Sequence, residues 1–157
     1  MLLRGLREED FLQYKSPSMF LIFPTCDFKC EKECGLQICQ NSEIIKAPAI
    51  EIEPEKLVNR YINNPITKAV VCGGLEPMDS FGQLIEFIKA FREVSGDPIV
   101  IYTGYRNDEV EEKIGVLSGF KNIIVKFGRF IPGQEPHLDP VLGVELASQN
   151  QYAVKIS

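Results

Sequence analysis

The sequence predicts an α/β fold: a mostly parallel sheet with helices outside it, left open as a partial β/α barrel. Three observations predict it. Apolar, β-branched runs alternate along the chain with stretches of helical periodicity, the pattern of repeated βαβ units. Two of those runs end directly in glycine-containing turns, Gly73-Gly74-Leu75-Glu76-Pro77 and Thr103-Gly104-Tyr105. A third opens into a segment that holds four of the five cysteines within fourteen residues, Cys26 to Cys39. Right-handed crossovers place every strand-to-helix loop at one edge of the sheet. These three segments are therefore expected side by side at the carboxyl edge, where such folds bind ligands. Four or five strands are too few to close an eight-stranded barrel, which is why the barrel is expected to be open.

Residues 1–17 are polar and mixed, ending in Ser16-Pro17. Ser18 to Phe23 is a short apolar run stopped by Pro24 and Thr25, and reads as a buried strand. The cysteine loop spans about residues 24–48. Ile50 and Ile52 lead into a helix with Pro54 in its first turn, a favoured place for proline. Leu57, Val58, Tyr61 and Ile62 recur there at helical spacing, and Asn63-Asn64-Pro65 ends the helix. Thr67 to Cys72 is a second strand. Asp79 or Ser80 is placed to cap the following helix, in which Phe81, Leu84, Ile85, Ile88 and Phe91 share a face. Gly96 stops it. Pro98 to Tyr102 is a third strand, and Asn107 can cap a helix running to about Leu117, with Val110, Ile114 and Leu117 facing inward. Asn122 to Phe127 is a fourth strand. A glycine- and proline-rich connection over residues 128–143 follows, and Tyr152 to Ile156 is the last strand.

At 157 residues, with 45% hydrophobic and 25% charged residues, the chain is expected to form one domain, 1–157, around one core. A net charge of −5 argues against nucleic acid as a partner, which would call for a basic face. No apolar run approaches the roughly 20 residues needed to cross a bilayer, so no membrane partner is expected. The first ten residues turn acidic too early for the apolar segment of an export signal. A reducing, cytoplasmic setting is therefore expected, where clustered thiols act as ligands or redox groups rather than as disulfides.

Cysteine thiolates hold iron–sulfur clusters, and three of them on a four-iron cluster leave one iron free. The gaps here, with three, three and four intervening residues, also suit a four-cysteine structural zinc. The glycine pair at 73–74 lets backbone approach a ligand closely and offers carbonyls to an ammonium group; Glu76 adds a carboxylate. Cys72 reads as a small apolar core residue, His137 as solvated, and Asp108 to Glu112 as a solvated helix face. Lys29 is either a surface lysine or a charge that tunes a cluster. Phe28 either shields a cluster or joins the core.

With a cysteine loop after the first strand and a Gly-Gly-Glu-Pro-like turn after the second, the chain resembles the radical S-adenosylmethionine superfamily. Tyr102-Thr103-Gly104-Tyr105, Gly128-Arg129-Phe130-Ile131 and Leu146-Ala147-Ser148-Gln149-Asn150-Gln151 resemble the small activating proteins of anaerobic ribonucleotide reductase. That resemblance implies a 4Fe–4S cluster on three cysteines and S-adenosylmethionine on its free iron. Electron transfer then cleaves the cofactor to a 5′-deoxyadenosyl radical, which takes a hydrogen from a glycine of the reductase large subunit. It implies Gly73, Gly74 and Glu76 beside the methionine amino group, Tyr102, Thr103 and Gly104 flanking the cofactor, and Ser148, Asn150 and Gln151 near the same pocket. It implies no catalytic residue beyond the cluster and cofactor, and a flavodoxin- or ferredoxin-like electron donor. Cys26 and Cys30 match the superfamily's first gap. The third ligand is Cys39, followed two residues on by Asn41, with residues 31–38 inserted; or it is Cys34, one residue too far along. Engagement of all four would make the protein an electron carrier or a structural metal protein. A further alternative keeps the radical chemistry and changes the target to another protein, a peptide or a small molecule.

Overall fold

A computed structural model describes residues 1–39 and 41–157. In chain order the elements are β1 (Leu2–Leu3), β2 (Gly5–Asp10), β3 (Ser18–Ile22), α1 (Lys29–Cys34), β4 (Ile50–Glu51), α2 (Pro54–Asn63), β5 (Ala69–Gly73), α3 (Phe81–Arg92), β6 (Ile99–Tyr102), α4 (Glu111–Leu117), β7 (Ile123–Phe127), β8 (His137–Asp139), β9 (Val144–Leu146) and β10 (Tyr152–Lys155). Six strands form the main sheet in the order β10-β7-β6-β5-β3-β2. The four inner strands are parallel, and both edge strands, β2 and β10, run antiparallel to their neighbours. The fold is thus α/β with a mostly parallel, open sheet.

The inner strands are apolar throughout because both of their faces are covered. Side chains alternate between two layers, as the pleat requires. Met19, Leu21, Val70, Cys72, Ile99, Ile101, Ile123 and Val125 pack with Leu57, Tyr61, Leu84, Phe87 and Phe91 of the helices. Phe20, Val71, Val100 and Ile124 pack on the other face against Tyr14, Leu142 and Leu146. Cys72 is fully buried in the helical layer, in line with a core role. Ile62 faces solvent, whereas Phe87 is fully buried; it lies on the apolar face of α3 between Leu84 and Phe91.

Several elements differ from expectation. The first seventeen residues are not featureless: β2 pairs along β3 through Gly5↔Ile22, Leu6↔Leu21 and Arg7↔Phe20. One side of that edge strand faces water, so its apolar signal is diluted. The connection after β7 contains the β8–β9 hairpin, closed over the sheet face by Asp139, whose Oδ1 accepts from Val141 and Leu142 N–H while Oδ2 accepts from Ala153 N–H. α3 has no side-chain cap from Ser80; instead Glu76 caps a short 3-10 turn over Pro77–Ser80. The stretch read as one helix from Asn107 is a 3-10 turn, Asn107–Glu109, followed by α4. No helix among the described residues is long and apolar enough to cross a membrane.

Candidate functional site

The carboxyl ends of β3, β5, β6 and β7 open into a cavity of about 450 Å³, within the range of small-molecule sites. Cys26, Cys30 and Cys39 line it together with Gly74, Glu76 and Gly104. Tyr102, Thr103 and Gln151 line it too. A larger groove of about 590 Å³ lies between β2 and α2, but it is broadly open and lined by ordinary surface side chains such as Glu8, Lys56 and Asn63.

The turn after β5 owes its shape to its glycines. Gly74 has φ +79°, and a Cβ there would sit 2.6 Å from Ile22 Cγ2. Only glycine meets both conditions without strain. The turn delivers Glu76 into the cavity wall, where it joins three loops. Its backbone N–H donates to Thr25 O at 2.8 Å, Oε2 accepts from Gly104 N–H at 2.8 Å, and Oε1 accepts from Met78 N–H at 3.1 Å. Burial raises the Glu76 carboxyl to about 7, with the hydrogen bonds from Gly104, Thr103 and Met78 opposing. Gly73 ends β5 away from the cavity lining, and its carbonyl accepts from Phe23 N–H at 2.9 Å. Tyr102 lines the cavity with its ring while its hydroxyl donates to Gln13 O at 2.6 Å. Thr103 is buried, its Oγ1 accepting from Tyr105 N–H.

Ser148 and Asn150 stand outside the cavity lining. Ser148 Oγ accepts from Ile131 N–H, and Asn150 Nδ2 donates to Arg129 O. Gln151 does line the cavity, with Nε2 donating to Gly128 O and Oε1 accepting from Ser148 N–H. These residues brace the loop after β7.

The four cysteines of the loop divide. Cys26, Cys30 and Cys39 are half-buried and face the cavity. Cys34 is exposed, turned away, and its thiol approaches Glu31 O and Leu36 O. Glu31 also ties the loop together, its Oε1 accepting from Cys39 N–H at 3.0 Å. Burial pushes the Cys26 thiol up to about 12, with the Phe28 N–H opposing and Glu76, Asp79 and Cys30 adding. Cys30 is raised chiefly by burial and by neighbouring Cys39. Such thiols keep their protons until a metal displaces them.

The donor set fits a cluster better than a single ion. Among the described residues, the three cysteines do not form a group with ligand atoms within 4.8 Å of one another; Cys26, Asp27 and Asp79 do. One zinc would need ligands that close, whereas a multi-iron cluster spreads its thiolates over separate irons. Asp79 is already engaged, with Oδ1 accepting from the Tyr105 hydroxyl at 2.7 Å and Oδ2 from Asp27 N–H at 3.1 Å.

Three cations stand near the site that the sequence alone did not assign a place in it. Lys126 is buried at the end of β7, lines the cavity, and donates to Gly128 O at 2.8 Å. Burial lowers it to about 8 against the pull of the Glu76 carboxylate; at Glu76 itself, burial and the three hydrogen bonds dominate. A lysine at the carboxyl end of an otherwise apolar strand was the available signal. Arg129 is buried beside it, paired with Glu109. Arg4 braces both ends of the cysteine loop, Nε donating to Pro24 O and Nη1 to Ala47 O. His137 is partly buried on β8, and Lys29 lies 4.4 Å from the centre of the Tyr105 ring.

A family profile described as a 4Fe-4S single cluster domain matches residues 17–141. No curated protein and no solved structure matches the chain.

Proposed function

The chain belongs to the 4Fe-4S single cluster domain family, a 4Fe–4S radical S-adenosylmethionine type of domain, and from that premise we propose that it is an enzyme holding its cluster on Cys26, Cys30 and Cys39. The observation that supports this ligand set is the division of the cysteine loop: three thiols line the cavity and Cys34 faces out. Three protein thiolates leave one of four irons for S-adenosylmethionine. Held there with S-adenosylmethionine and given an electron by a donor, a cluster would supply reductive cleavage to a 5′-deoxyadenosyl radical; the difficult chemistry would belong to the cofactors.

The chain's own residues bind, orient and exclude water. Gly74 allows the turn to pass close to the ligand, and Glu76 places a carboxylate where the methionine ammonium would lie. Glu76 is fixed by Gly104 and Met78 N–H groups, so it arrives already aimed. Tyr102, Thr103 and Gly104 form the neighbouring wall.

The target we favour is a glycine of the anaerobic ribonucleotide reductase large subunit, with a flavodoxin- or ferredoxin-like protein as electron donor. The motifs around Tyr102, Gly128 and Ser148 support it. Lys126 favours a second reading, the same chemistry on another protein, peptide or small molecule, because it puts a buried ammonium group into the cavity wall.

Anaerobic reconstitution followed by dithionite and S-adenosylmethionine tests the activity. The expected outcome is brown protein that releases 5′-deoxyadenosine. Colourless protein carrying one zinc, or brown protein that never cleaves the cofactor, would overturn it. A glycyl radical on co-incubated reductase, seen by electron paramagnetic resonance, is expected for the favoured target; cleavage without that radical selects the second reading.

A further inference from the structure

α1 carries Cys30 and Cys34 yet has no buried side chain. A six-residue helix with nothing buried is not held by apolar packing, and helices this short are marginal alone. Something else must fix it against the sheet. Within the cysteine loop Glu31 holds α1 to Cys39; toward the loops that follow β6 and β7, two side-chain contacts reach out from it among the described residues, Lys29 Nζ over the Tyr105 ring at 4.4 Å and Glu33 Oε1 at 3.3 Å from Arg129 Nε.

Arg129 is built to hold that second contact. Its side chain is 7% exposed. Nη1 and Nη2 donate to Glu109 Oε2 and Oε1 at 2.7 and 2.8 Å, a fork that fixes the plane of the guanidinium. Its backbone is pinned by Asn150 Nδ2, which donates to Arg129 O, and by Gly128 N–H, which donates to Tyr105 O. The ring of Tyr105 lies 5.6 Å from the guanidinium carbon. The edge left over is Nε, and it faces Glu33. The approach lies off the N–H direction, so it is an ion pair and not a hydrogen bond, and Nε has no hydrogen-bond acceptor among the described residues. A lysine could keep the charge but not serve Glu109 and Glu33 from two edges of one rigid plane.

We propose that Arg129 is a positioning residue that clamps α1, and with it Cys30, to the sheet through Glu33 while Glu109 holds the guanidinium in place. The consequence for a cluster rests on the reading of Cys30 as a ligand; the clamp itself does not.

The test uses the full-length chain, metal-free and reconstituted. Glu33→Gln is the main variant, because Glu33 is exposed and its loss leaves the Arg129–Glu109 fork intact. Amide hydrogen exchange over residues 29–34 of metal-free protein is expected to quicken about two- to five-fold, the range for an ion pair with one exposed partner, with β5, β6 and β7 unchanged. Arg129→Lys, which conserves charge, is expected to quicken the same amides. Adding Glu33→Gln to Arg129→Lys is then expected to change nothing further, the signature of one shared contact. In reconstituted protein, loss of iron to a chelator is expected to quicken by a similar factor in both single variants. Unchanged exchange over 29–34 in Glu33→Gln, or full additivity in the double variant, would overturn the proposal. Protein that takes up no cluster would sink the ligand reading instead, leaving the exchange result to decide the clamp.

Discussion

The cavity has two halves that are held in different ways. The Gly73–Pro77 and Thr103–Tyr105 turns sit on strands whose residues are almost all fully buried between two apolar layers. The cysteine loop sits on polar contacts: Arg4 at its base, Glu31 across it, and Arg129 and Tyr105 against α1. Fully burying an aliphatic side chain contributes about 1.5–3 kcal/mol, whereas an ion pair with an exposed partner contributes under about 1 kcal/mol. The difference teaches that the half expected to meet the organic cofactor is formed by folding, and that the half expected to meet the metal is completed by metal binding. Ligand binding to the native chain alone then adds stability by mass action.

If that contrast is right, core and loop substitutions separate cleanly. Leu84→Ala empties a fully buried position facing the inner strands and is expected to destabilise the chain by about 2–5 kcal/mol, read as a lower urea midpoint for metal-free protein. An unchanged midpoint would break the account of the core. Gly74→Ala tests the joint between the halves. It forces an L-residue into φ +79° and against Ile22, so a cost of about 1–3 kcal/mol is expected. Circular dichroism melts would read it, and a neutral effect would show that the turn tolerates a side chain.

The smallest effect is electrostatic. Arg129 holds the Glu109 carboxyl down to about 2, chiefly by hydrogen bonding, below an ordinary value of 4.5. A depressed folded value stabilises fully above the unfolded value, and that stabilisation is lost as the pH falls through 4.5 toward 2. Urea midpoints measured from pH 6 to 2 are expected to fall less steeply over that interval in Glu109→Gln than in the unsubstituted chain. Parallel curves would remove Glu109 from the acid response.

Which features were legible in the sequence follows the same division. The inner strands announced themselves because a strand covered on both faces must be apolar throughout, as in Ala69-Val70-Val71-Cys72 and Ile99-Val100-Ile101. The apolar face of α3 and the glycine turn were legible for similar reasons, since each is dictated by local packing or φ. β2 was not, because Arg7, Glu8 and Glu9 face water on an edge strand. α1 was not, because Lys29 to Cys34 carries no aliphatic or aromatic side chain to mark a buried face, although Cys30 and Cys34 stand four apart. The cavity cations were not, because a lysine or arginine at a strand end looks like surface until the loops from other strands close over it. The cysteine spacing left Cys34 and Cys39 as candidates for a third ligand; the path of the loop turns Cys39 to the cavity and leaves Cys34 exposed outside its lining.

That separation is tested most directly by anaerobic reconstitution of Cys34→Ala and Cys39→Ala side by side, with iron content and visible absorbance as readouts. The account predicts that Cys34→Ala stays brown with the iron content of the unsubstituted chain and that Cys39→Ala loses its cluster. Loss of the cluster in Cys34→Ala, or its retention in Cys39→Ala, would contradict it.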